Sequence, residues 1–244
     1  MNAITIKSLR KEYKDIVAVD DLNLEIEEGE LFSLLGVNGA GKTTTIKMLS
    51  TLTKPTSGDA YIYDYSIIKD PDKIKEIVDI SMQETAVARK LTVEENIDFY
   101  AKLSGQKEEE IENIKKYIYS SFELDKVSSK QASKLSGGWQ RKLSIALALV
   151  TKPKVLFLDE PTLGLDVIAR RELWKTIREL KKNMTIILTT HYMEEAEALS
   201  DRIGIMKDGK LLFVGTKEEL FVKTNKECVE DAFISIVSGG ELDE

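Results

Sequence analysis

The run from Gly36 to Thr43 has the residue types and spacing that can bind phosphate. Its letters, GVNGAGKT, match the pattern G-x-x-x-x-G-K-[ST] between a predicted strand and a predicted helix. The glycines let successive backbone N–H groups converge on phosphate oxygens, while Lys42 can reach the β and γ phosphates and the Thr43 hydroxyl can bind Mg²⁺. The alternative is a glycine-rich turn without a ligand, which the strand-loop-helix context disfavours. The sequence therefore predicts a nucleotide site.

Two adjacent carboxylates, Asp159 and Glu160, end the apolar run Val155 to Leu158. Open α/β sheets bind their ligands at the carboxyl ends of strands, and burying two adjacent acids without a function would be costly. We interpret Asp159 as a carboxylate that supports Mg²⁺ and Glu160 as the general base that takes a proton from the attacking water. The alternative is a structural pair satisfied by helix N-termini.

The single histidine, His191, follows another apolar run and ends the stretch Thr189-Thr190-His191. Taken alone, it is more simply explained as a core or surface histidine than as a functional one. Its place beside the predicted Asp159-Glu160 strand raises a second hypothesis, a polar group that touches the γ-phosphate and the attacking water. A transition-metal site is not expected, because the sequence has no second histidine and no cysteine cluster.

These side chains need a scaffold of alternating strands and helices. Period-two patterns predict strands between Ile4 and Leu35, and a helical stretch follows the glycine loop as far as Leu52. Apolar runs predict four further strands, at 155–158, 184–188, 203–206 and 211–214, the last two joined by an Asp208-Gly209 turn. The order of elements indicates an α/β core.

The segment from Thr85 to Lys134 differs in character and predicts an inserted helical lobe. Apolar residues recur at helical spacing among many lysines and glutamates, at Ile97, Phe99 and Leu103 and then at Ile111, Ile114, Tyr117 and Ile118. The charge run 107–110 is interpreted as a solvated helix face. The end of the chain, 238–244, is expected to fray.

Composition excludes several classes of protein. With 244 residues and 42% hydrophobic residues, the chain can form a sizeable core, and the single Cys228 cannot form an internal disulfide. The formal net charge of −7 gives no reason to expect a general nucleic-acid binder. No signal-peptide pattern is visible, and no apolar run approaches the roughly 20 residues that cross a bilayer. We expect a soluble protein that another chain would anchor if it works at a membrane.

Together, the motifs resemble those of the ATP-binding cassette (ABC) family, specifically the nucleotide-binding subunit of an exporter-like ABC transporter of the drug- or lipid-transporting ABC-2 type. The resemblance covers nearly the whole chain and follows the family's order. The matching motifs are Walker A at Gly36 to Thr43, the Q-loop at Gln83, the signature at Leu135 to Gly138, the end of Walker B at Asp159-Glu160, the D-loop at Leu163 to Asp166 and the switch histidine at His191.

The resemblance implies a role for each matched residue. Glu160, His191 and Gln83 would be catalytic, and Thr43, Gln83 and Asp159 would hold Mg²⁺. Asp166 would act in the D-loop. The residues implied to contact ATP within the same chain are Tyr13, Gly36, Asn38, Gly39, Ala40, Gly41, Lys42, Thr43 and Thr44, whereas Ser136, Gly137 and Gly138 would contact ATP bound to a partner subunit.

The signature distinguishes this family from small kinases and GTPases, which also have a phosphate loop. Ser136 can cap a helix that begins at Gly137, so that the glycine amides and the positive helix end face an anion. In the family, two cassettes dock head to tail and each signature closes on the partner's ATP. Trp139 departs from the glutamine that is commonest at this position. We weigh two roles for it, packing in the helical lobe or at the dimer edge, and direct contact with nucleotide or partner.

The implied fold is α/β, a P-loop NTPase ABC ATPase core with a mixed sheet and flanking helices, an N-terminal antiparallel β subdomain and an inserted α-helical subdomain. We expect one ABC ATP-binding domain over residues 1–244. Its core would comprise 1–84 and 136–215, with a helical signature subdomain at 85–135 and a C-terminal helical tail at 216–244.

The implied function is ATP hydrolysis that drives substrate export through a separate transmembrane permease. The subunit would form a homodimer or heterodimer around two ATP and lie at the cytoplasmic face of the cell membrane. The alternative is a soluble ABC ATPase that acts on ribosomes or DNA, but the fused cassettes or long coiled coil usual in those relatives are absent from the sequence, and a net acidic chain suits nucleic acid poorly. A third reading, an adaptor that binds ATP without turnover, is opposed by Glu160 and His191.

The resemblance generates a test of the adenine contact. If Tyr13 stacks on adenine, Tyr13→Ala should weaken ATP binding by up to about 1–3 kcal/mol, the range for a base on an aromatic ring. Titration calorimetry with ATP measures the difference, and equal affinity of the two proteins would remove Tyr13 from this role.

Overall fold

A computed structural model describes residues 1–239, in which two β-sheets organise the chain. The first sheet is antiparallel and has the order β2-β1-β4-β5. Its strands are β1 (Asn2–Tyr13), β2 (Ile16–Glu27), β4 (Ser57–Ile62) and β5 (Tyr65–Ser66). The alternation of buried and exposed residues along β2 matches the period-two pattern of its sequence. The expected N-terminal antiparallel sheet is confirmed.

The second sheet is mixed and has the order β10-β9-β3-β8-β7-β6. Its strands are β3 (Leu31–Leu35), β6 (Val78–Ser81), β7 (Val155–Asp159), β8 (Thr185–Thr190), β9 (Arg202–Lys207) and β10 (Lys210–Gly215). All neighbours pair in parallel except β9 and β10, which form a hairpin. Asp208 and Gly209 both have positive φ, as this tight turn requires. The four strands predicted from apolar runs are present here.

Register in the mixed sheet brings the polar strand ends together. Leu35 pairs with Thr190, and Asp159 pairs with Thr189, so β3, β7 and β8 finish at the same edge. Every residue of these three strands is buried, which matches their apolar sequences. The phosphate-loop motif and the two polar strand ends therefore leave the sheet as neighbours.

Nine helices are present among residues 1–239 besides short 3₁₀ turns. They are α1 (Lys42–Leu49), α2 (Pro71–Lys75), α3 (Val93–Leu103), α4 (Glu108–Phe122), α5 (Gly137–Ala148), α6 (Val167–Leu180), α7 (Met193–Leu199), α8 (Lys217–Thr224) and α9 (Val229–Ser238). None of these helices is both long and apolar enough to cross a membrane.

Among residues 1–239, three apolar clusters hold the layers together. One face of the mixed sheet packs under α3, α4, α5 and α6, and the other face packs against α1 and the antiparallel sheet. A third, smaller cluster joins β9 and β10 to α7, α8 and α9. The predicted α/β fold with flanking and inserted helices is confirmed, whereas the predicted boundaries at 84, 135 and 215 stay predictions.

Three local predictions differ from the structure. Helix α1 ends at Leu49 and not at Leu52, which is exposed, because the Ser50 hydroxyl donates to the Ile46 carbonyl and Thr51 takes a positive φ. In α3 the buried face consists of Val93, Asn96, Ile97 and Ala101, so the predicted apolar positions Phe99 and Leu103 point outward. The predicted frayed end includes Ser238, which is the last residue of α9, and residues 240–244, which lie outside the described residues.

Candidate active site

The loop between β3 and α1 requires its glycines. Gly39 and Gly41 have φ values of +85° and +103°, a region that side chains rarely allow. A Cβ atom on Gly41 would lie 2.3 Å from the carbonyl oxygen of Ala18, so the backbone of β2 also excludes a side chain there. The loop can therefore curl tightly into the start of α1, the arrangement that binds phosphate.

Lys42 is buried at the start of α1, with only 5% of its surface exposed. Its ammonium donates to the carbonyls of Gly36 at 2.7 Å and Val37 at 3.2 Å. It also lies 3.4 Å from Oε1 of Glu160, which is itself 7% exposed. The loop lysine and the Walker B glutamate thus form a buried ion pair, and each charge depends on the other for compensation.

One oxygen of the Asp159 carboxylate accepts hydrogen bonds from two hydroxyls, and the other has no partner among the described residues. Its Oδ1 accepts hydrogen bonds from Thr43 Oγ1 at 3.0 Å and from Thr189 Oγ1 at 2.6 Å. Its Oδ2 is buried without a hydrogen-bond partner among residues 1–239. A cation beside the Thr43 hydroxyl would provide that missing partner, so the donor set fits a hard divalent ion such as Mg²⁺. Residues 1–239 contain no cluster of three or more His, Cys, Asp or Glu side chains that could hold a metal ion.

Glu160 and His191 are in direct contact. Nδ1 of His191 lies 2.8 Å from Oε2 of Glu160, so the glutamate is bracketed by the imidazole on one oxygen and by Lys42 on the other. Glu160 has a φ of +48°, which is unusual for a residue with a side chain, and its N–H donates to the Thr189 carbonyl at 3.1 Å. Strain of this kind concentrates at functional sites, where surrounding contacts hold it.

The loop and the strand ends line one cavity of about 350 Å³. Both charged groups of the ion pair, Lys42 and Glu160, line it. Its lining residues are Ala18, Asn38, Gly39, Ala40, Gly41, Lys42, Thr43, Thr44, Gln83, Glu160, Leu163 and His191. Most of the predicted site residues therefore meet at one place, although their positions in the sequence are far apart.

Tyr13 is not among the residues that line this cavity. It ends β1 with 45% of its surface exposed, and the Lys11 ammonium lies 4.8 Å from the centre of its ring. An exposed ring at a strand end can accept a base, and the stacking role stays a prediction. Ala18 does line the cavity and was missed from the sequence, because nothing in its local pattern distinguishes it from its neighbours.

The signature lies apart from the cavity in the same chain. Helix α5 begins at Gly137 as predicted, with Ser136 at the N-cap position. The predicted capping by the Ser136 side chain is wrong, because its hydroxyl makes no hydrogen bond to the first turn. A Cβ on Gly138 would lie 3.2 Å from the Ala169 Cβ, whereas one on Gly137 would meet nothing within 4 Å. Packing inside the chain thus explains one glycine of the pair and not the other.

Trp139 packs within the chain. It is partly buried against the apolar cluster under the helical lobe, and the Lys142 ammonium lies 4.8 Å from the centre of its indole. The same ammonium donates to Oε2 of Glu172 on α6 at 2.9 Å. These contacts favour the packing role and tie the first turn of α5 to α6.

The D-loop leads into α6 through a conventional helix cap. The Asp166 carboxylate accepts hydrogen bonds from the N–H groups of Ile168 and Ala169, both at 2.9 Å. Around it, Leu163, Val167 and Ile168 are exposed by 39%, 64% and 73%. The start of α6 therefore presents apolar side chains to solvent.

Arg141 is a residue of the site that the sequence did not reveal. Although only 4% exposed, it carries its guanidinium among four carbonyls and donates to those of Asp159, Pro161, Met82 and Gln83. Burial lowers its pKa to about 10, and the nearby carboxylate of Asp159 is the largest opposing influence. A charge at a buried position of a helix gave no signal in the pattern of apolar residues, so it was not singled out.

Comparison with known proteins identifies the family. A model of the family described as "ABC transporter" matches residues 19–163, which is more than half of the chain. The chain belongs to the ABC transporter family. Its ABC fold and the order of its motifs agree with this assignment, and the resemblance stated from the sequence is confirmed.

Curated relatives of this ABC domain include several members of the A family. Human "Phospholipid-transporting ATPase ABCA3" is 45% identical over 90% of this chain, which corresponds to 13% of that protein. The Dictyostelium discoideum "ABC transporter A family member 7" is 43% identical over 89% of this chain and 26% of its own length. This chain thus spans between an eighth and about a quarter of the length of these relatives.

Solved structures of ABC domains share the fold. An "ATP binding subunit of ABC transporter" superposes with a TM-score of 0.85 at 27% identity, covering 96% of this chain and 99% of that one. The dimeric, post-hydrolysis cassette MJ0796 bound to ADP and Pi gives a TM-score of 0.78 at 27% identity, covering 87% and 98%. CbiO1 from Clostridium perfringens, described as part of the CbiONQ transporter complex, gives 0.82 at 28% identity, covering 96% and 98%.

The Arg141 contacts predict a large loss of stability when the guanidinium is removed. Arg141→Met should lower the free energy of unfolding by about 3 kcal/mol or more, because several buried carbonyls lose their donor together. Arg141→Lys should recover little, since an ammonium cannot span the same four acceptors. Urea unfolding measures both variants against Arg171→Met, a matched change at an exposed position of α6. Equal stability of Arg141→Met and the control would contradict this account.

Proposed function

We propose that this chain is an ATP-hydrolysing nucleotide-binding unit of an ABC transporter that closes head to tail with a second cassette around two ATP and drives substrate export through a membrane-spanning permease. The observation that carries the proposal is the buried contact of Lys42, Glu160 and His191 at the mouth of the phosphate loop. It combines a phosphate-binding cation, a base and a polar partner within one cavity.

ATP binding would rearrange the charges of the site. The phosphates would replace Glu160 as the main partner of the Lys42 ammonium, which now lies 3.4 Å from the carboxylate. Glu160, still oriented by His191 through its other oxygen, would then be free to accept a proton from the attacking water. The backbone N–H groups of the loop would hold the β and γ phosphates.

Magnesium is part of the proposal. The Thr43 hydroxyl, the Gln83 side chain and the unpaired Oδ2 of Asp159 are the groups that would hold it, directly or through water. The ion would supply neutralisation of the phosphate charge. Thr189 contributes by fixing the other oxygen of Asp159, so that Oδ2 keeps its direction.

The second cassette follows from the position of the signature. Ser136 and Gly137 are exposed and do not line the cavity of their own chain, although α5 directs its N-terminus and its free N–H groups at solvent. Its own chain leaves room for a side chain at Gly137. We therefore infer that glycine is needed at this position so that a partner's phosphate can approach the backbone closely. The exposed apolar residues at the start of α6 would lie at the same interface.

Export, the permease and a location at the cytoplasmic membrane face are supported by the relatives. The similar A-family proteins are several times longer than this chain, and one is named a phospholipid-transporting ATPase. Similarity to one component of the CbiONQ complex also supports a cassette that works with membrane subunits. We favour a lipid-like or drug-like exported substrate, and the alternative role on ribosomes or DNA is not favoured.

The general base is tested by Glu160→Gln. Hydrolysis should fall by about 10²–10⁴-fold, as expected for loss of a general base, while ATP binding persists. Phosphate release and ATP titration are compared with Glu109→Gln, the same change on an exposed helix face. Turnover equal to that of the control would remove Glu160 from this role.

The shared site is tested by Ser136→Arg. The bulky cation should block ATP-induced dimerisation by occupying the place of the partner's phosphate, and binding of ATP to the monomer should persist. Light scattering with and without ATP measures the dimer, with Ser129→Arg as a matched exposed control. A dimer that still forms in Ser136→Arg would contradict the head-to-tail arrangement.

A further inference from the structure

Glu195 is a buried carboxylate for which the proposed reaction has no use. It lies in the first turn of α7, is fully buried, and its Oε1 accepts a hydrogen bond from Trp174 Nε1 at 3.0 Å. Its Oε2 is buried and has no hydrogen-bond partner among residues 1–239. Burial raises the pKa of Glu195, and the hydroxyls of Thr190 and Thr162 act against that rise. A group that costs this much to bury needs a reason to be retained.

The surroundings of Glu195 supply that reason. Thr162 comes two residues after Glu160, and Thr190 directly precedes His191. Because the hydroxyls of both threonines lower the pKa of Glu195, its carboxylate lies near the chain segment that carries the general base and near the segment that carries the switch histidine. Both segments lie at the ends of neighbouring strands of the mixed sheet, β7 and β8.

Helix α7 transmits the position of Glu195 to His191. The helix has Tyr192 as its N-cap, and the Glu195 N–H donates to the Tyr192 carbonyl at 3.1 Å. His191 is therefore joined by one peptide bond to a helix start whose first turn is anchored by the Glu195 side chain. A shift of that turn would displace the imidazole.

Helix α6 holds this start at two places one turn apart. Trp174 donates to Glu195, and the Arg170 guanidinium lies 4.6 Å from the centre of the Tyr192 ring. The Tyr192 ring in turn lies 4.2 Å from the His191 ring, measured between centres. From one face of α6, the indole thus contacts the first turn of α7 and the guanidinium contacts Tyr192, the residue after His191.

We propose that Trp174 and Glu195 are positioning residues that fix the start of α7 and thereby hold the His191 imidazole on the Glu160 carboxylate. The inference rests on the proposed hydrolysis of ATP by this site. Neither residue lines the ATP cavity, so their effect should fall on turnover and not on ATP binding. The 2.8 Å contact between His191 and Glu160 is the quantity they control.

The first test separates kcat from KM for MgATP. Trp174→Phe removes the N–H donor and keeps an aromatic ring, while Glu195→Leu removes both acceptor oxygens. Each should lower kcat by roughly tenfold to a hundredfold, because a small misplacement of a reacting group is costly, with KM changed less than about twofold. Glu195→Gln keeps an acceptor oxygen for Trp174 and should restore most of kcat. Glu197→Leu, on the exposed side of the same helix, is the matched control and should match the wild type.

The second test asks whether the two residues act through His191. In single-turnover hydrolysis, Trp174→Phe should cause no further loss when added to His191→Ala, because the group it positions is already absent. Multiplying losses in the double variant would overturn the proposal. The proposal would also be overturned if kcat fell and KM rose by the same factor in Trp174→Phe, and if Glu197→Leu lost as much kcat as Trp174→Phe.

The outcomes distinguish this inference from the function on which it rests. Wild-type protein that binds MgATP without hydrolysing it would contradict the proposed function itself. Wild-type turnover accompanied by unchanged kcat in both Trp174→Phe and Glu195→Leu would overturn only the positioning role.

Discussion

The structure depends on keeping a buried ammonium and two buried carboxylates side by side at one edge of a parallel sheet. Lys42, Asp159 and Glu160 are each less than a tenth exposed, and an unpaired charge at that depth would cost several kcal/mol. The register of β3, β7 and β8 solves this problem by bringing the loop lysine to 3.4 Å from Glu160 and the hydroxyls of Thr43 and Thr189 to Asp159. Without nucleotide, the charged groups of the site thus stabilise one another. The same groups would bind ATP and Mg²⁺.

A second constraint is the packing of the signature, at the start of α5, against the D-loop end of α6. Gly138 packs against Ala169, and Trp139 and Lys142 join α5 to Glu172 on α6, so the starts of the two helices form one packed unit. This unit presents free N–H groups and exposed apolar side chains away from its own cavity. The start of α5 does not line the cavity of its own chain, and we propose that it would instead meet ATP bound to a partner. Under the proposed function, Gly137 and Gly138 would form the other half of a shared site.

The sequence predicted those parts of the site that repeat in a simple pattern. The phosphate loop, the later apolar strands and the acidic strand end follow from residue type and spacing, and the strands predicted at 155–158, 184–188, 203–206 and 211–214 appear within one or two residues of those bounds. Strands β4, β5 and β6 were not predicted from the sequence. Contacts between distant segments were not predictable in this way, among them Arg141 beneath the Q-loop carbonyls and Trp174 on Glu195. The outward side chains of Phe99 and Leu103 were misjudged because helical spacing cannot tell which of two apolar stripes meets the core.

A mixing experiment tests the shared site most directly. One chain carries Lys42→Ala and lacks its own phosphate site, another carries Ser136→Arg and lacks its signature, and both carry Glu160→Gln to prevent turnover. The account predicts that neither chain dimerises alone with ATP, whereas the mixture forms a heterodimer that holds one ATP between Lys42 of one chain and Ser136 of the other. A mixture that stays monomeric, or a Ser136→Arg chain that dimerises by itself, would contradict the account.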